Sequence, residues 1–447
     1  MPGRGGGSWQ PDIEGDLKKV IADQGGEDDF NPSLAGMSEE DTLATDAPLV
    51  RLVNSLIHEA VKRGVSDIHI EPFEGMLRVR FRIDGVLEEV QKIPHKLAPA
   101  ITSRLKIMAD LDICEKRIPQ DGVINFRVGE LGADLRVSTL PSVFGEKIVM
   151  RVLGTTNLNN DLSKLGIPKD QLKMIRKAIR QPTGLVLVTG PTGSGKTTTL
   201  YASLNELNDI SVSVFTAEDP VEGNLPGVTQ CQVNTAVGYT FSSVLRALLR
   251  QDPDVILVGE IRDQETAEIA IKASLTGHLV LSTLHTNCSV STIQRLVDIG
   301  VKPYLITGSV NCIVAQRLVR RICDKCKEKR TVSPEMFESL GLDPAMFGDG
   351  ELYHGSGCEE CHGSGFKGRA PVYEVLVLND DLRRMILKGG SKSEIKKAAR
   401  ECGLRTLRES GINLVREGVT TIEEVLGRTA EDDDDPNFQA PKGTSEV

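Results

Sequence analysis

The fold class follows most directly from the sequence Leu185-Val-Leu-Val-Thr-Gly-Pro-Thr-Gly-Ser-Gly-Lys-Thr-Thr198. It begins as an apolar run of strand length, continues through a glycine-rich loop and ends where a helical pattern begins. The spacing G-x-x-x-x-G-K-[ST] between a strand and a helix is typical of a P-loop, whose backbone N–H groups surround phosphate oxygens at a helix N-terminus. The sequence therefore predicts a nucleotide site in an α/β domain.

Each part of this loop has an expected contact with ATP or Mg²⁺. Lys196 is predicted to reach the β- and γ-phosphates, and Thr197 to offer its hydroxyl to Mg²⁺. A chance glycine-rich loop is the alternative, and the flanking strand and helix argue against it. The predicted nucleotide-binding residues are Gly190, Pro191, Thr192, Gly193, Ser194, Gly195, Lys196, Thr197 and Thr198.

Three further polar residues follow predicted strands of the same domain. Glu260 comes after the apolar run 255–258, where an α/β domain places groups that face Mg²⁺ or the attacking water. Glu222 follows the predicted strand 212–216 and is the candidate for polarising that water. His285 follows the predicted strand 279–282 and is placed to sense the γ-phosphate. The alternatives are turn or solvated loop acids and a structural histidine.

Four of the nine cysteines form two pairs, Cys323-x-x-Cys326 and Cys358-x-x-Cys361, with 31 residues between the pairs. Four thiolates in two knuckle-like pairs are typical of a tetrahedral structural Zn²⁺ site. The segment ending in His362 also matches the c-type haem attachment pattern, which requires export. A thioredoxin-like redox pair is the other alternative, although its βαβ context is missing. Zinc is the prediction.

Composition limits the remaining possibilities. The chain has 447 residues, 39% hydrophobic and 26% charged, with a net charge of −10. This length predicts several domains, and the acidic balance argues against broad nucleic-acid binding. No apolar run reaches the length of a membrane span, and no export signal begins the chain. We therefore expect a cytoplasmic protein.

The residue pattern changes along the chain in four steps. Residues 1–45 are polar and are expected to be mostly disordered. Residues 46–154 predict an α+β domain, in which Leu77 to Ile83 alternate with Arg78, Arg80 and Arg82 before a hairpin turn at Asp84-Gly85. Residues 162–428 predict a mostly parallel sheet with helices on both faces, a cysteine-bearing insertion at 322–368 and closing helices. Residues 429–447 form an acidic tail, expected to be disordered.

These motifs, in this order, resemble the secretion ATPase superfamily that powers type IV pili and type II secretion. The resemblance covers roughly residues 46–428. It includes the P-loop, the acidic box 218–222, the Gly259-Glu260 pair and the histidine box 278–285. The fold that it implies is a RecA-like P-loop ATPase domain, a smaller PAS-like N-terminal α+β domain and a zinc-binding insertion.

The resemblance also implies a function. It implies a homo-hexameric ATPase that hydrolyses ATP to power type IV pilus assembly, acting on an inner-membrane platform protein. Its implied location is cytoplasmic and peripheral at the inner membrane. The tetracysteine insertion and the sequences 66–72 and 216–220 favour the pilus extension subtype, and the type II secretion motor is the first alternative. A zinc-bearing nucleic-acid translocase and a binding-only pseudo-ATPase are alternatives from other classes.

Two arginines of the smaller domain approach the nucleotide in this family. The matching pattern is Arg136-Val-Ser-Thr-Leu-Pro141 followed by Arg151. Arg78, Arg80 and Arg82 are rival donors. Complete family members also carry a further amino-terminal domain, and residues 1–45 are too short and polar to supply it, so we expect a truncated or short variant.

Overall fold

The computed structural model describes residues 12–23, 47–128, 131–153, 161–330 and 352–429. The chain divides into two compact units between Asn157 and Leu158. This division falls in the stretch 155–161, between the two predicted domains 46–154 and 162–428. Within the described ranges, no helix is long and apolar enough to cross a membrane.

The first unit combines an antiparallel six-stranded sheet with helices. The helices are α1 (Ile13–Asp23), α2 (Ala47–Lys62) and α3 (Ala98–Met108). The strands are β1 (Asp67–Phe73), β2 (Met76–Ile83), β3 (Val86–Pro94), β4 (Gln120–Val128), β5 (Leu131–Ser142) and β6 (Gly145–Leu153). Their order across the sheet is β3-β2-β1-β6-β5-β4. The predicted α+β class is confirmed.

Strand β2 shows how the sequence pattern builds this sheet. Successive side chains of a strand point to opposite faces, and accordingly Leu77, Val79 and Phe81 are buried while the arginines between them are half-buried. The turn that follows has φ values of +48° at Asp84 and +84° at Gly85. The predicted strand and hairpin are therefore both present.

Residues 1–45 are predicted to be mostly disordered, and the structure describes one ordered helix among them, α1. Leu17 and Val20 are buried in the same hydrophobic core as α2. The Ser55 hydroxyl also donates a hydrogen bond of 2.7 Å to the buried Asp16 carboxylate. Because α1 has only a few apolar residues and polar sequence on both sides, its stability depends on this tertiary packing rather than on a strong local pattern.

The second unit is built on a seven-stranded sheet. Its seven strands are β7 (Gly184–Thr189), β8 (Val214–Glu218), β9 (Thr229–Gln232), β10 (Val255–Val258), β11 (Leu279–Leu284), β12 (Val310–Ile322) and β15 (Phe366–Val377). Strands β13 (Lys327–Arg330) and β14 (Leu352–Gly355) form a separate two-stranded ribbon between β12 and β15 in the chain. The order is β15-β12-β7-β11-β10-β8-β9. All neighbouring strands are parallel except β12 and β15.

Ten α-helices accompany the strands in the described part of this unit. They are α4 (Lys169–Ile179), α5 (Lys196–Leu207), α6 (Phe241–Leu248), α7 (Gln264–Leu275), α8 (Ser289–Asp298), α9 (Pro303–Ser309), α10 (Asp380–Leu387), α11 (Lys392–Glu401), α12 (Leu407–Arg416) and α13 (Ile422–Arg428).

Strand β7 is central and buried on both sides. Leu185 and Leu187 belong to one hydrophobic core, together with α6, α7 and α8. Val186 and Val188 belong to a second core with α4 and α5 on the other side. The prediction of a mostly parallel sheet covered on both faces is therefore confirmed. Helices were expected directly after the cysteine segment. The structure has the long strand β15 there, and the helices follow it.

Candidate active site and metal centre

The loop between β7 and α5 has the backbone of a phosphate-binding loop. Gly193 and Gly195 have φ values of +76° and +85°, a region that favours glycine. A Cβ atom on Gly190 would lie 2.5 Å from the backbone oxygen of Gln316, so a larger residue has no room there. The loop leads directly into α5, whose N-terminal N–H groups favour an anionic ligand.

Lys196, the first residue of α5, folds back over this loop. Its Nζ donates to the backbone oxygens of Gly190 (2.9 Å) and Pro191 (3.1 Å). Burial lowers the pKa of the Lys196 ammonium, and the Glu260 and Glu222 carboxylates oppose that shift. The ammonium therefore lies against the loop, and both predicted catalytic acids favour its charged form.

Glu222 is held beside the start of α5. Its Oε1 accepts a hydrogen bond of 3.2 Å from the Thr197 hydroxyl, and its backbone N–H donates to the Tyr201 hydroxyl. The buried Glu218 accepts from that same Tyr201 hydroxyl and from Thr216. Burial and the hydrogen bond to Glu218 raise the pKa of Tyr201, so this hydroxyl stays protonated and keeps the acidic box in place.

Glu260 and His285 meet at the ends of the neighbouring parallel strands β10 and β11. The distance from Glu260 Oε2 to His285 Nε2 is 3.5 Å, and Arg262 pairs with the other carboxylate oxygen at 2.5 Å. Burial and the nearby Lys196 ammonium lower the pKa of His285, although Glu260 opposes the shift. The ordinary histidine pKa is about 6.5, so the His285 imidazole is neutral near pH 7.

The structure thus brings five predicted residues to one edge of the sheet, because the carboxyl ends of parallel strands meet there. They are Lys196, Thr197, Glu222, Glu260 and His285. Hydroxyl and carboxylate oxygens are ligands that Mg²⁺ accepts, so Thr197 and Glu260 fit such an ion, and the loop with Lys196 fits the phosphates of a nucleotide.

The two predicted arginines lie in the other unit. Arg136 on β5 and Arg151 on β6 are direct neighbours across the sheet, and both are exposed. Arg151 Nε donates to Asp67 Oδ1 at 2.9 Å. The rival donors Arg78 and Arg80 both bind Glu71, at 3.0 and 2.8 Å.

Sequence reasoning assigned no role to Gln316 and Arg317, which lie against the loop. Gln316 Oε1 accepts a hydrogen bond from the Thr199 hydroxyl at 2.8 Å. The buried Arg317 guanidinium donates to the backbone oxygens of Gln316 and Asn287, each at 2.9 Å. The only sequence signal is that 315–319 is a typical phrase of the family, which gives neither contact.

The four predicted cysteines form one cluster. The sulfur–sulfur distances are 3.9 Å for Cys323–Cys358, 3.8 Å for Cys326–Cys361 and 3.7 Å for Cys358–Cys361, and all four sulfurs lie within 4.8 Å of one another. A tetrahedral Zn²⁺ with bonds of about 2.3 Å places its sulfurs about 3.8 Å apart. This donor set fits a structural Zn²⁺.

The backbone around the cluster supports closely packed knuckles. The N–H groups of Cys358 and Gly365 point at Cys361 Sγ, at 3.2 and 3.3 Å. A Cβ on Gly355 would lie 2.1 Å from the Gly365 oxygen, so the segments before and after the Cys358–Cys361 knuckle approach each other only because glycine is there. All four thiols come together in one cluster, which favours a shared metal over a redox pair.

A P-loop beside two carboxylates and a histidine, at the carboxyl edge of a parallel sheet, defines a P-loop nucleotide hydrolase. Comparison with known proteins gives its family. The family model described as "Type II/IV secretion system protein" matches residues 42–427. The chain belongs to this family, which confirms the resemblance drawn from its motifs.

Individual relatives come from both branches of the family. The chain is 48% identical over 421 residues to the type IV pilus assembly ATPase PilB of Myxococcus xanthus, a match that spans 93% of this chain and 74% of the relative. It is 51% identical over 396 residues to the type II secretion system protein E of Pseudomonas aeruginosa, spanning 89% and 78% of the two chains.

A solved structure agrees with the fold. The pilus retraction motor PilT with bound ADP is 27% identical, with a TM-score of 0.55, and the match covers 84% of this chain and 96% of that one. The chain is therefore an ATPase of the type II/IV secretion family. Pilus and secretion relatives are similar to it at nearly the same identity.

Proposed function

We propose that this chain is the hexameric ATPase motor of a type IV pilus assembly machine. It hydrolyses ATP with Mg²⁺ and works from the cytoplasm at the inner membrane through a platform protein. The meeting of Lys196, Thr197, Glu222 and Glu260 at one edge of the sheet is the observation that carries the ATPase chemistry. The type II secretion motor is the second candidate, favoured by the identity to protein E of P. aeruginosa.

The residues of the site have distinct roles in this proposal. The loop N–H groups hold phosphate oxygens, and Lys196 exchanges its bonds with the Gly190 and Pro191 oxygens for bonds with the β- and γ-phosphates. Thr197 and Glu260 would hold Mg²⁺, which would neutralise phosphate charge when bound. Glu222 orients and polarises the attacking water. The neutral His285, beside Glu260, offers a hydrogen bond that depends on the γ-phosphate.

Cellular phenotype tests the choice of machine. In the source bacterium, the gene for this chain is deleted and replaced by the wild-type gene or by Lys196→Ala, and surface pili and secreted enzymes are counted. Loss of pili with normal secretion supports the proposal. Loss of secretion with normal pili supports the type II candidate.

The nucleic-acid translocase is tested with purified wild-type protein. ATP hydrolysis that requires DNA or RNA would indicate a translocase.

We also propose that Cys323, Cys326, Cys358 and Cys361 hold one structural Zn²⁺ per chain. A closed tetrahedral site contributes folding free energy and leaves no open position for catalysis. Cys323→Ser is expected to lower the zinc content and to lower Tm by about 5–10 °C, with nucleotide affinity unchanged. Elemental analysis and thermal unfolding measure both quantities.

The matched control for this prediction is Cys402→Ser, an exposed cysteine of the same unit that lies outside the cluster. It is expected to keep the zinc content and Tm of the wild type. Wild-type protein purified without chelator and free of stoichiometric zinc would overturn the metal proposal.

Arg136 and Arg151 are proposed to contribute to ATP turnover, as the resemblance implies. A guanidinium stays charged and binds phosphate oxygens through two donors. Arg136→Ala and Arg151→Ala are each expected to lower kcat by about tenfold or more. The comparison variant is Arg80→Ala, whose guanidinium binds Glu71 in the structure. Normal turnover in both single variants would remove these arginines from the mechanism.

A further inference from the structure

One buried carboxylate joins the beginnings of two helices in the second unit. Glu374 lies on β15 and is only 3% exposed. Its Oε1 accepts hydrogen bonds from the Ser289 backbone N–H (2.7 Å) and hydroxyl (2.5 Å). Its Oε2 accepts from the Leu407 backbone N–H at 3.1 Å. Ser289 and Leu407 are the first residues of α8 and α12.

Helix α8 depends on this carboxylate. The first N–H groups of a helix have no partner within it, and the N-cap residue of α8, Cys288, supplies no side-chain cap. Glu374 therefore takes the place of the missing cap, and its negative charge is favourable at a helix N-terminus. Helix α12 has its own capping box from Thr406 and Glu409, so its bond to Glu374 is additional.

The residues just before α8 belong to the nucleotide site. His285 lies 3.5 Å from Glu260, and the backbone N–H of Thr286 donates to the Thr189 hydroxyl at 3.0 Å. The Asn287 backbone oxygen accepts from Arg317. Three residues thus connect the carboxylate of Glu374 to the imidazole beside Glu260.

Charge gives Glu374 a second connection to the same site. The buried Arg317 guanidinium lies at the loop, 3.1 Å from the point where a Cβ on Gly190 would be. Burial lowers the pKa of Arg317, and the negative charge of Glu374 acts in the opposite direction. A buried charge without a counter-charge is costly. The Glu374 carboxylate therefore also stabilises the charged Arg317 guanidinium at its position beside the loop.

We propose that Glu374 is a positioning residue for ATP hydrolysis that couples helix α12 to the catalytic loop 285–288. By holding Ser289, it fixes where His285 and Asn287 lie, and by holding Leu407 it makes that position depend on α12. A movement of α12 is then transmitted to the residues beside Glu260. The inference rests on the proposed roles of His285 and Glu260 in hydrolysis.

Glu374→Gln tests this coupling. The glutamine keeps one acceptor oxygen, but its NH₂ group cannot accept from the second helix, and Arg317 loses a counter-charge. Because small misplacements near reacting groups have large effects, kcat is expected to fall by about tenfold to a hundredfold, with KM for ATP within about threefold of wild type.

Glu424→Gln is the matched control. Glu424 is also buried, at 8% exposure. It accepts hydrogen bonds from the backbone N–H and guanidinium of Arg320 in the same unit, and it is not bonded to the loop 285–288. Its substitution is expected to lower Tm comparably and to leave kcat near wild type below both melting temperatures. Equal kcat in the two folded variants would overturn the proposal.

Hydrogen exchange separates this inference from the proposed function. In nucleotide-free protein, Glu374→Gln should speed amide exchange at Ser289 or Leu407 and across residues 285–288, whereas Glu424→Gln should not. Unchanged exchange there would contradict the coupling, even in an active enzyme. A wild-type chain without ATPase activity would contradict the proposed function, and the exchange result would still decide whether Glu374 joins the two segments.

A milder variant covers the case in which Glu374→Gln does not fold. Ser289→Ala removes only the hydroxyl donor, so the backbone N–H bond remains. Loss of one such hydrogen bond is expected to lower kcat by about three- to fivefold with KM unchanged. No decrease in kcat in a folded Ser289→Ala protein would contradict the proposal.

Discussion

Replacing Lys196 with alanine is expected to abolish steady-state ATP hydrolysis and to weaken ATP binding. The ammonium lies over the loop at 2.9 Å from the Gly190 oxygen, where it can turn to the phosphates without moving the helix. Charge-assisted bonds to phosphate are strong in a partly buried site. Removing one such donor lowers turnover by at least about 10²-fold. Phosphate release and equilibrium ATP titration measure the two effects.

Lys173→Ala is the control for that variant. Lys173 is an exposed lysine of α4 in the same unit, and its removal changes the net charge equally. It is expected to bind and hydrolyse ATP as the wild type does. Wild-type hydrolysis in Lys196→Ala would show that the nucleotide site is not built on this loop.

Glu260→Gln is expected to separate binding from chemistry. Glutamine has nearly the same shape, but it carries no charge for a metal and accepts no proton. Hydrolysis should therefore fall by about 10²-fold or more, while nucleotide affinity stays largely intact. Glu268→Gln, at a half-buried acid of α7 that pairs with Lys272, is the control with the same chemical change and should remain active.

The same substitution at Glu222 distinguishes the two acids. Glu222→Gln keeps an oxygen that can accept the Thr197 hydroxyl bond, so the local structure should persist while hydrolysis falls similarly. Normal hydrolysis in that variant would make Glu222 a turn acid and leave Glu260 as the catalytic carboxylate. Full activity in Glu260→Gln would contradict the proposed chemistry more broadly.

The parts of this site that the sequence predicts are those encoded locally. The P-loop spacing, the carboxylates and histidine after apolar strands, and the two cysteine pairs each occupy a few consecutive residues. Parallel strands then bring Glu260 and His285 together at one edge, because β10 and β11 are neighbours in register. Contacts between residues that follow neighbouring parallel strands can be predicted once the parallel sheet and its strand order are predicted.

The missed residues are those placed by long-range pairing. Strand β12 runs parallel to β7, with Ala315 opposite Thr189, and this register sets Gln316 and Arg317 beside Gly190. Strand β15 in turn places Glu374 opposite Ala315. The sequence pattern of residues 310–377 predicts neither pairing. Helices were expected after the cysteine segment, so strand β15 was not predicted. Helix α1 was missed for a similar reason, because its order comes from packing on α2.

The proposed site of ATP hydrolysis is tested most directly by phosphate release in a single turnover, starting from ATP and Mg²⁺ already bound to the purified chain. We expect wild-type protein to convert its bound ATP, whereas Glu260→Gln should bind ATP with similar affinity and release phosphate at least about 10²-fold more slowly. Equal release rates in the two proteins would contradict the claim that this loop and its carboxylates form the site of ATP hydrolysis.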